Sequence, residues 1–233
     1  MIFDPQNIVI IGAAGAIGSA FTNLLLQKYP NASLFAFSRN GEHSIDYSSE
    51  DSIAEAAELA AKEKSLDLVI VANGILHEET LIPEKSLRDL SAKKFHRVFE
   101  VNTIIPALIA KYFLPKLNKE KLSVFAALSA RVGSISDNQL GGWYAYRASK
   151  AALNMIIKNA AIEVGRRNKH AIIVGLHPGT VDSYLSKPFQ GNVADGQLFT
   201  PEYSAEKLLA VLENLSVEQT GKCFAWDGKE ICS

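Results

Sequence analysis

Two cysteines in 233 residues, Cys223 and Cys232, are too few for a disulfide framework and wrongly spaced for a metal site. The five histidines, His43, His77, His96, His170 and His177, show neither HxxxH nor HExxH spacing, so no metal is expected. Neither sign of charge dominates: the net charge is −1 and the Lys and Arg residues are scattered. That excludes the electrostatic footprint of a nucleic-acid or anionic-membrane binder and leaves a small molecule as the expected partner. No apolar run approaches the ~18 residues of a membrane span. The opening Met1-Ile2-Phe3-Asp4-Pro5 lacks a basic region and a cleavage site, so a cytoplasmic protein is expected. Linkers and repeats are missing too. With 48% hydrophobic composition the length fits one α/β domain spanning residues 1–233. A last absence is local: no Asp or Glu stands between Gly18 and Glu42.

What is present begins with a β-branched run, Asn7 to Ile11, that breaks into Gly12-Ala13-Ala14-Gly15-Ala16-Ile17-Gly18 and then a helical pattern to about Tyr29. Strand, glycine turn and helix is the context in which glycines admit a pyrophosphate to backbone N–H groups at a helix N-terminus. A tight turn packed with small residues would look the same. The next run, Ser33 to Phe37, ends in Ser38-Arg39-Asn40. An acid at this distance from the glycines would bind a ribose 2′-OH, whereas an arginine suits a 2′-phosphate, so Arg39 argues for NADP over NAD. A solvated loop arginine is the alternative.

Further strands are expected at Ile45 to Tyr47, Leu66 to Val71, Leu122 to Leu128, Ala171 to Leu176 and Lys222 to Trp226, alternating with helices over 51–64, 91–117 and 201–215. This alternation predicts a doubly wound parallel sheet with helices on both faces. Gly12, Ser38, Ala72 and Ser129 fall at carboxyl ends of strands, where open α/β sheets bind ligands. The 91–117 helix is apolar nearly all round, which predicts a second buried surface at a subunit interface. Pro106 inside it has no N–H for the Asn102 carbonyl, which predicts a kink that frees that carbonyl for a water. The irregular stretch 182–200, with Pro188, Gly191 and Gly196, reads as a loop over the site. Trp143, Tyr184, Leu185 and Phe189 suggest its apolar wall, with aromatic packing under the loop as an equal alternative.

Tyr146 and Lys150 stand four apart at the start of an Ala-rich helix, which places phenol and ammonium on one face. A free tyrosine titrates near ~10 and is a poor acid–base catalyst at neutral pH. A fixed ammonium favours the phenolate, although a Tyr and a Lys four apart are more often a stacked, solvent-facing pair. Tyr144 projects from another face.

Taken in order, the glycine turn, end-of-strand Arg39, Asn73-Gly74, helical Asn102, Ser129 and YxxxK resemble the short-chain dehydrogenase/reductase family over essentially the full chain. Leu128-Ser129-Ala130-Arg131-Val132-Gly133-Ser134-Ile135, Tyr144 to Lys150 and the closing Trp226-Asp227-Gly228 resemble its C-factor and sniffer carbonyl-reductase branch. The resemblance implies a single-domain Rossmann fold with seven parallel strands and an NADP(H)-dependent oxidoreductase acting on a small carbonyl or alcohol. It implies that Tyr146 exchanges the proton, that Lys150 holds the nicotinamide ribose and lowers the Tyr146 pKa, and that Asn102 positions a water toward Lys150. Gly12, Gly15, Ile17, Gly18, Ser38, Arg39, Asp46, Tyr47, Asn73, Gly74, Tyr146, Lys150, Pro178, Gly179 and Val181 would meet the cofactor. Three departures stand out: Ile11-Gly12 and Ala16 in the glycine turn, Val71-Ala72-Asn73-Gly74 after the fourth strand, and Ala130 at the position of the usual serine. Ser129, one residue earlier, is expected to supply the substrate-orienting hydroxyl, with Ser134 next in line. A homodimer or homotetramer is expected on the helices that carry Asn102 and Tyr146. Two other readings stay open: a dinucleotide-binding signalling protein with little turnover, and an NAD-linked alcohol oxidation.

Overall fold

Alternation along the strands decides the architecture. The structure, a computed structural model, describes residues 3–232. Strands β1 (Asn7–Ile11), β2 (Ser33–Ser38), β3 (His43–Ser44), β4 (Leu68–Val71), β5 (Ser123–Leu128) and β6 (Ala171–His177) lie in the main sheet. A short pair, β7 (Thr180–Val181) and β8 (Leu198–Phe199), stands apart from it, and β9 (Cys223–Ala225) completes the sheet in the order β3-β2-β1-β4-β5-β6-β9. Every pairing is parallel. Successive side chains point to opposite faces. Ile8, Ile10, Leu68, Ile70, Val124, Ala126, Ile172 and Val174 pack on helices α1 (Ala16–Lys28) and α6 (Pro201–Glu213) through Phe21, Leu25, Leu208 and Leu212. Val9, Ile11, Val69, Val71, Phe125 and Ile173 pack on the other face, against α2 (Glu50–Ala60), α4 (Ile105–Phe113) and α5 (Tyr144–Val164). Both faces are covered, so the strands read as continuous apolar runs.

The strand order reverses direction between β1 and β4, which opens the crevice where such sheets bind ligands. Gly12 takes a φ of +84° there, and a Cβ on it would lie 2.9 Å from the Asn73 amide nitrogen. A Cβ on Gly18 would collide with the Gly12 carbonyl oxygen. These two glycines let the β1–α1 turn close tightly against the end of β4.

Three expectations are corrected. The third strand is His43–Ser44; Ile45 to Tyr47 follows it as irregular chain. The long helix is not a kinked α-helix. It runs as α3 (Ala92–Phe99), a π-helical turn (Glu100–Ile104) and α4, with Pro106 in the first turn of α4. The Ile105 N–H reaches back to the Glu100 carbonyl, so the widened turn absorbs the donor that Pro106 lacks. Ala92–Lys116 is also long and apolar enough, at a mean hydropathy of 1.3, to match a membrane span, against the expectation of no such run. Its side chains Val101, Ile105, Ile109 and Phe113 are instead buried against the sheet.

Gly18→Ala tests the tight turn. The added methyl must push the Gly12 carbonyl aside, at a cost of about 1–3 kcal/mol as for other overpacked sites, read as a lower urea midpoint at unchanged slope.

Candidate active site

Helix α5 begins without a cap of its own: the residue before it, Trp143, has a φ of +48° and makes no side-chain capping bond. Tyr146 lies in its first turn and Lys150 one turn later; both are buried. Lys150 Nζ donates to the Leu128 carbonyl at 2.9 Å and lies 5.9 Å from the centre of the Tyr146 ring. Burial pushes the Tyr146 phenol up to about 12 and draws the Lys150 ammonium down to about 8. The expected lowering of the Tyr146 pKa by Lys150 is therefore not what this geometry gives. Both groups lose water, and loss of water disfavours the charged form of each.

Asn102 sits in the π-helical turn with no exposed surface. Its amide clamps the loop after β4: Nδ2 donates to the Ile75 carbonyl at 2.8 Å, and Oδ1 accepts from the Ile75 N–H at 2.8 Å. Nδ2 also reaches Ser149 Oγ at 3.2 Å, and Ser149 Oγ donates to the Tyr146 carbonyl at 2.7 Å. The side chain expected to add polar reach is thus committed to the backbone. The main-chain carbonyl is the one whose usual helical donor position is occupied by Pro106. A Cβ on Gly74 would lie 3.4 Å from Asn102 Oδ1 and 3.6 Å from Lys150 Nζ, so Gly74, Asn102 and Lys150 meet in one place.

Ser129 is corrected. Its N–H continues the ladder to the Leu176 carbonyl at 2.7 Å, so the chain does not bulge. The side chain keeps the parity of Phe125 and Ala127 and turns toward α5, where Oγ donates to Asn154 Oδ1 at 2.6 Å. Ala130 is 7% exposed and packs with Tyr146, Leu76 and Trp143. A methyl group, not a hydroxyl, faces the phenol. Ser134 is buried as well, accepting from the Asp137 N–H at 3.1 Å.

A cavity of about 250 Å³ joins these groups to the glycine turn. Ile17, Asn73, Gly74, Ser129, Tyr146, Lys150, Pro178, Gly179 and Val181 line it. Its outer wall is apolar: Leu76, Val132, Trp143, Leu185 and Phe189. Trp143 lies edge-on to Tyr146 at 6.2 Å and to Phe189 at 5.0 Å. Tyr184 lies outside the wall, largely exposed, with its ring 4.8 Å from that of His77. The β7–β8 pair ties the base of the 182–200 loop, and a 3₁₀ turn (Lys187–Asn192) carries Phe189 over the cavity. Reading the sequence missed Leu76 and His177. His177 also lines the cavity with its Nδ1 buried and unpartnered, and burial draws its pKa down to about 4. The only signal for it was its place before Pro178-Gly179.

The turn itself fits an anionic group. The residue before α1, Gly15, offers no side-chain cap, and the first turn holds no acid, so no capping side chain satisfies the leading N–H groups of α1. Arg39 is exposed at the end of β2 and forms no salt bridge among the described residues; Ser38 beside it is buried. The Tyr47 hydroxyl is buried beside the Gly12 backbone and within the field of Arg39. Asn73 donates Nδ2 to the Val101 carbonyl at 2.9 Å and leaves Oδ1 buried and unpartnered. Asp46 is exposed, and its bonds from Ser48 hold its carboxyl below the usual range. These unfilled donors and acceptors are what an extended phosphate- and amide-bearing ligand would satisfy. Among the described residues no group of three or more His, Cys, Asp or Glu side chains is placed to hold a metal.

Comparison with known proteins agrees with this layout. A family model described as enoyl-(acyl carrier protein) reductase matches residues 33–228. A 1-hydroxy-2-glutathionyl-2-methyl-3-butene dehydrogenase of Rhodococcus sp. (strain AD45) is 29% identical over 234 residues, 96% of this chain and 97% of that protein. The C-signal of Myxococcus xanthus is 33% identical over 146 residues, 63% of this chain and 82% of that one. The NADPH-bound carbonyl reductase from chicken fatty liver superposes with a TM-score of 0.79 at 27% identity, covering 98% of this chain and 99% of its own. With its parallel seven-stranded sheet, glycine turn and buried Tyr-Lys pair, the chain belongs to the short-chain dehydrogenase/reductase family of oxidoreductases.

Proposed function

We propose that this protein is an NADP(H)-dependent oxidoreductase that moves hydride between nicotinamide and a small carbonyl or alcohol, with Tyr146 as its general acid/base. The observation that carries the reading is the single cavity shared by Tyr146, Lys150 and the strand ends beside the glycine turn. The bound nicotinamide supplies or accepts the hydride. Gly12, Gly15, Ile17 and Gly18 would receive its diphosphate at the start of α1, and Arg39, with Ser38, a 2′-phosphate. Tyr47 and Asp46 would stand at the adenine end, and Asn73, Gly74, Pro178, Gly179 and Val181 at the nicotinamide end.

Chemistry at Tyr146 follows from its burial. A phenol held near 12 keeps its proton at neutral pH, so the resting residue is a donor suited to carbonyl reduction. As hydride reaches the carbonyl carbon, the phenol proton passes to the carbonyl oxygen. Lys150, whose ammonium titrates near 8, offsets the phenolate left behind and can return a proton to it. The Asn102 carbonyl, four residues before Pro106, would hold a water on the path to Lys150.

With Trp143, Leu185 and Phe189 on the wall and the 182–200 loop above, the substrate is a small carbonyl compound with an apolar flank. Assembly as a homodimer or homotetramer is part of this reading, since α4 and α5 and the turn before them leave Ile104, Met155 and Ile162 exposed. So is a cytoplasmic setting, which two unbridged cysteines fit. A second reading, a dinucleotide-binding signalling protein with little turnover, draws on the likeness to C-signal and on Ala130 facing the phenol.

Tyr146→Phe separates the two. On the enzyme reading it lowers kcat on a carbonyl panel by about 10²–10⁴-fold, the usual share of a general acid, with NADPH binding retained. Wild-type protein that binds NADPH but reduces nothing in the panel sinks that reading. Ala130→Ser places a hydroxyl beside the phenol. One added hydrogen bond to the carbonyl is worth about 0.5–1.5 kcal/mol, so kcat/KM should rise roughly 2- to 12-fold in steady-state assays. Arg39→Ala should weaken NADPH about 10- to 100-fold and leave NADH unchanged in fluorescence titrations, as expected for losing a charge-assisted phosphate bond.

A further inference from the structure

We infer that Glu84 is a positioning residue for Tyr146, acting through the first turn of α5; the inference rests on the acid/base reading of Tyr146 given above. Glu84 lies in the connection between β4 and α3, 61 residues before Ala145, the residue it bonds. It is 2% exposed, and its carboxylate forms no salt bridge among the described residues. An acid so placed is costly to bury unless it is hydrogen-bonded. Its partner is the start of α5: Oε2 accepts from the Ala145 N–H at 3.2 Å. The Glu84 carbonyl accepts from the Trp143 N–H at 2.5 Å.

Helix α5 needs this help. Its own preceding residue offers no cap and its first turn holds no acid. Gly141, Gly142 and Trp143 enter the helix with φ values of +64°, +64° and +48°, a run that local sequence alone does not favour. Glu84 therefore supplies from a distance the acceptor that a helix N-terminus ordinarily takes from its own cap. Tyr146 is the next residue after the amide it holds.

The segment that carries Glu84 is itself fixed. Glu78 and Leu81 exchange backbone bonds at 3.0 Å, and Arg97 Nη2 pairs with Glu78 Oε1 at 2.7 Å. Leu81 belongs to the same apolar cluster as Tyr146 and Ala130. Beyond Glu84, Ser86 and Asp89 close a reciprocal capping pair. Glu84 is thus a post held on both sides, and it fixes the phenol relative to the wall of the cavity.

The test uses full-length protein, NADPH and a carbonyl compound that the wild type reduces. Glu84→Ala should lower kcat at least about tenfold, in keeping with the sensitivity of proton transfer to small displacements, with the Kd for NADPH within about twofold. Hydrogen exchange of the Tyr144–Lys150 amides should quicken. Glu84→Gln, which keeps an acceptor oxygen, should retain kcat within about threefold. A Glu84→Ala protein with kcat within twofold of wild type, on a substrate for which Tyr146→Phe is inactive, overturns the inference and leaves the acid/base reading standing. If Tyr146→Phe stays active, that reading fails instead, and exchange decides the remainder: unchanged protection at Ala145 in Glu84→Ala overturns the cap as well. Should Glu84→Ala not fold, folded Glu84→Gln decides. Retained kcat and protection support the inference; loss of either overturns it.

Discussion

Burial of Lys150 is the constraint on which the site depends. An ammonium with 3% exposure and a backbone carbonyl as its hydrogen-bond acceptor is held against its preference, and its pKa falls accordingly. The structure around it makes that tolerable. The approach of residues 131–133 to α5 is possible because Gly133 has no side chain: a Cβ there would lie 2.8 Å from Lys150 Cβ. The Leu128 carbonyl is available because β5 ends at that residue. Asn102, Ser149 and Thr103 bind the π-helical turn to α5 from behind, the last through Thr103 Oγ1 to the Ser149 carbonyl at 2.9 Å. A strand end, a glycine and an unusual helical turn together fix one side chain.

The π-helical turn shows how a local defect becomes a feature of the site. Proline in a helix normally leaves one carbonyl unsatisfied and bends the axis. Here the ladder widens before Pro106, and the chain runs on into α4 with its apolar face still on the sheet. At Asn102 the side chain turns inward to clamp Ile75. Its carbonyl, four residues before Pro106, is the polar group that the proposed proton path uses.

Much of this was legible in the sequence because it is local or periodic. Strand runs such as Ile8-Val9-Ile10-Ile11, the glycine turn and the four-residue spacing of Tyr146 and Lys150 each follow from short-range geometry. What escaped depends on three-dimensional neighbours. Ile45 to Tyr47 has strand composition but lies past the point where β2 offers a partner, so only His43–Ser44 pairs. Lowering of the Tyr146 pKa was inferred from charge alone, and burial of both partners, which the spacing cannot report, outweighs it. Glu84 stood in an unremarked loop; its contact with α5 spans 61 residues, and no spacing rule reaches that far.

Ser129 and Ala130 carry the argument furthest, because parity alone separates them. Along β5 the residues Phe125 and Ala127 face α5, and an unbroken ladder gives Ser129 the same direction. Its hydroxyl is then spent on Asn154 of α5. Ala130 continues in extended backbone, with φ −153° and ψ 147°, and lies on the Tyr146 side. On the proposed reading the carbonyl oxygen meets one donor, the phenol, across an apolar wall. A single donor orients a carbonyl less strictly than two, so orientation passes to the shape of that wall: Leu76, Val132, Trp143 and Phe189. On that reading the departure at one residue would move substrate selection from hydrogen bonding to packing. The 182–200 loop, which brings Phe189 onto Trp143 and Trp143 onto Tyr146, becomes part of how the phenol is aligned with its substrate.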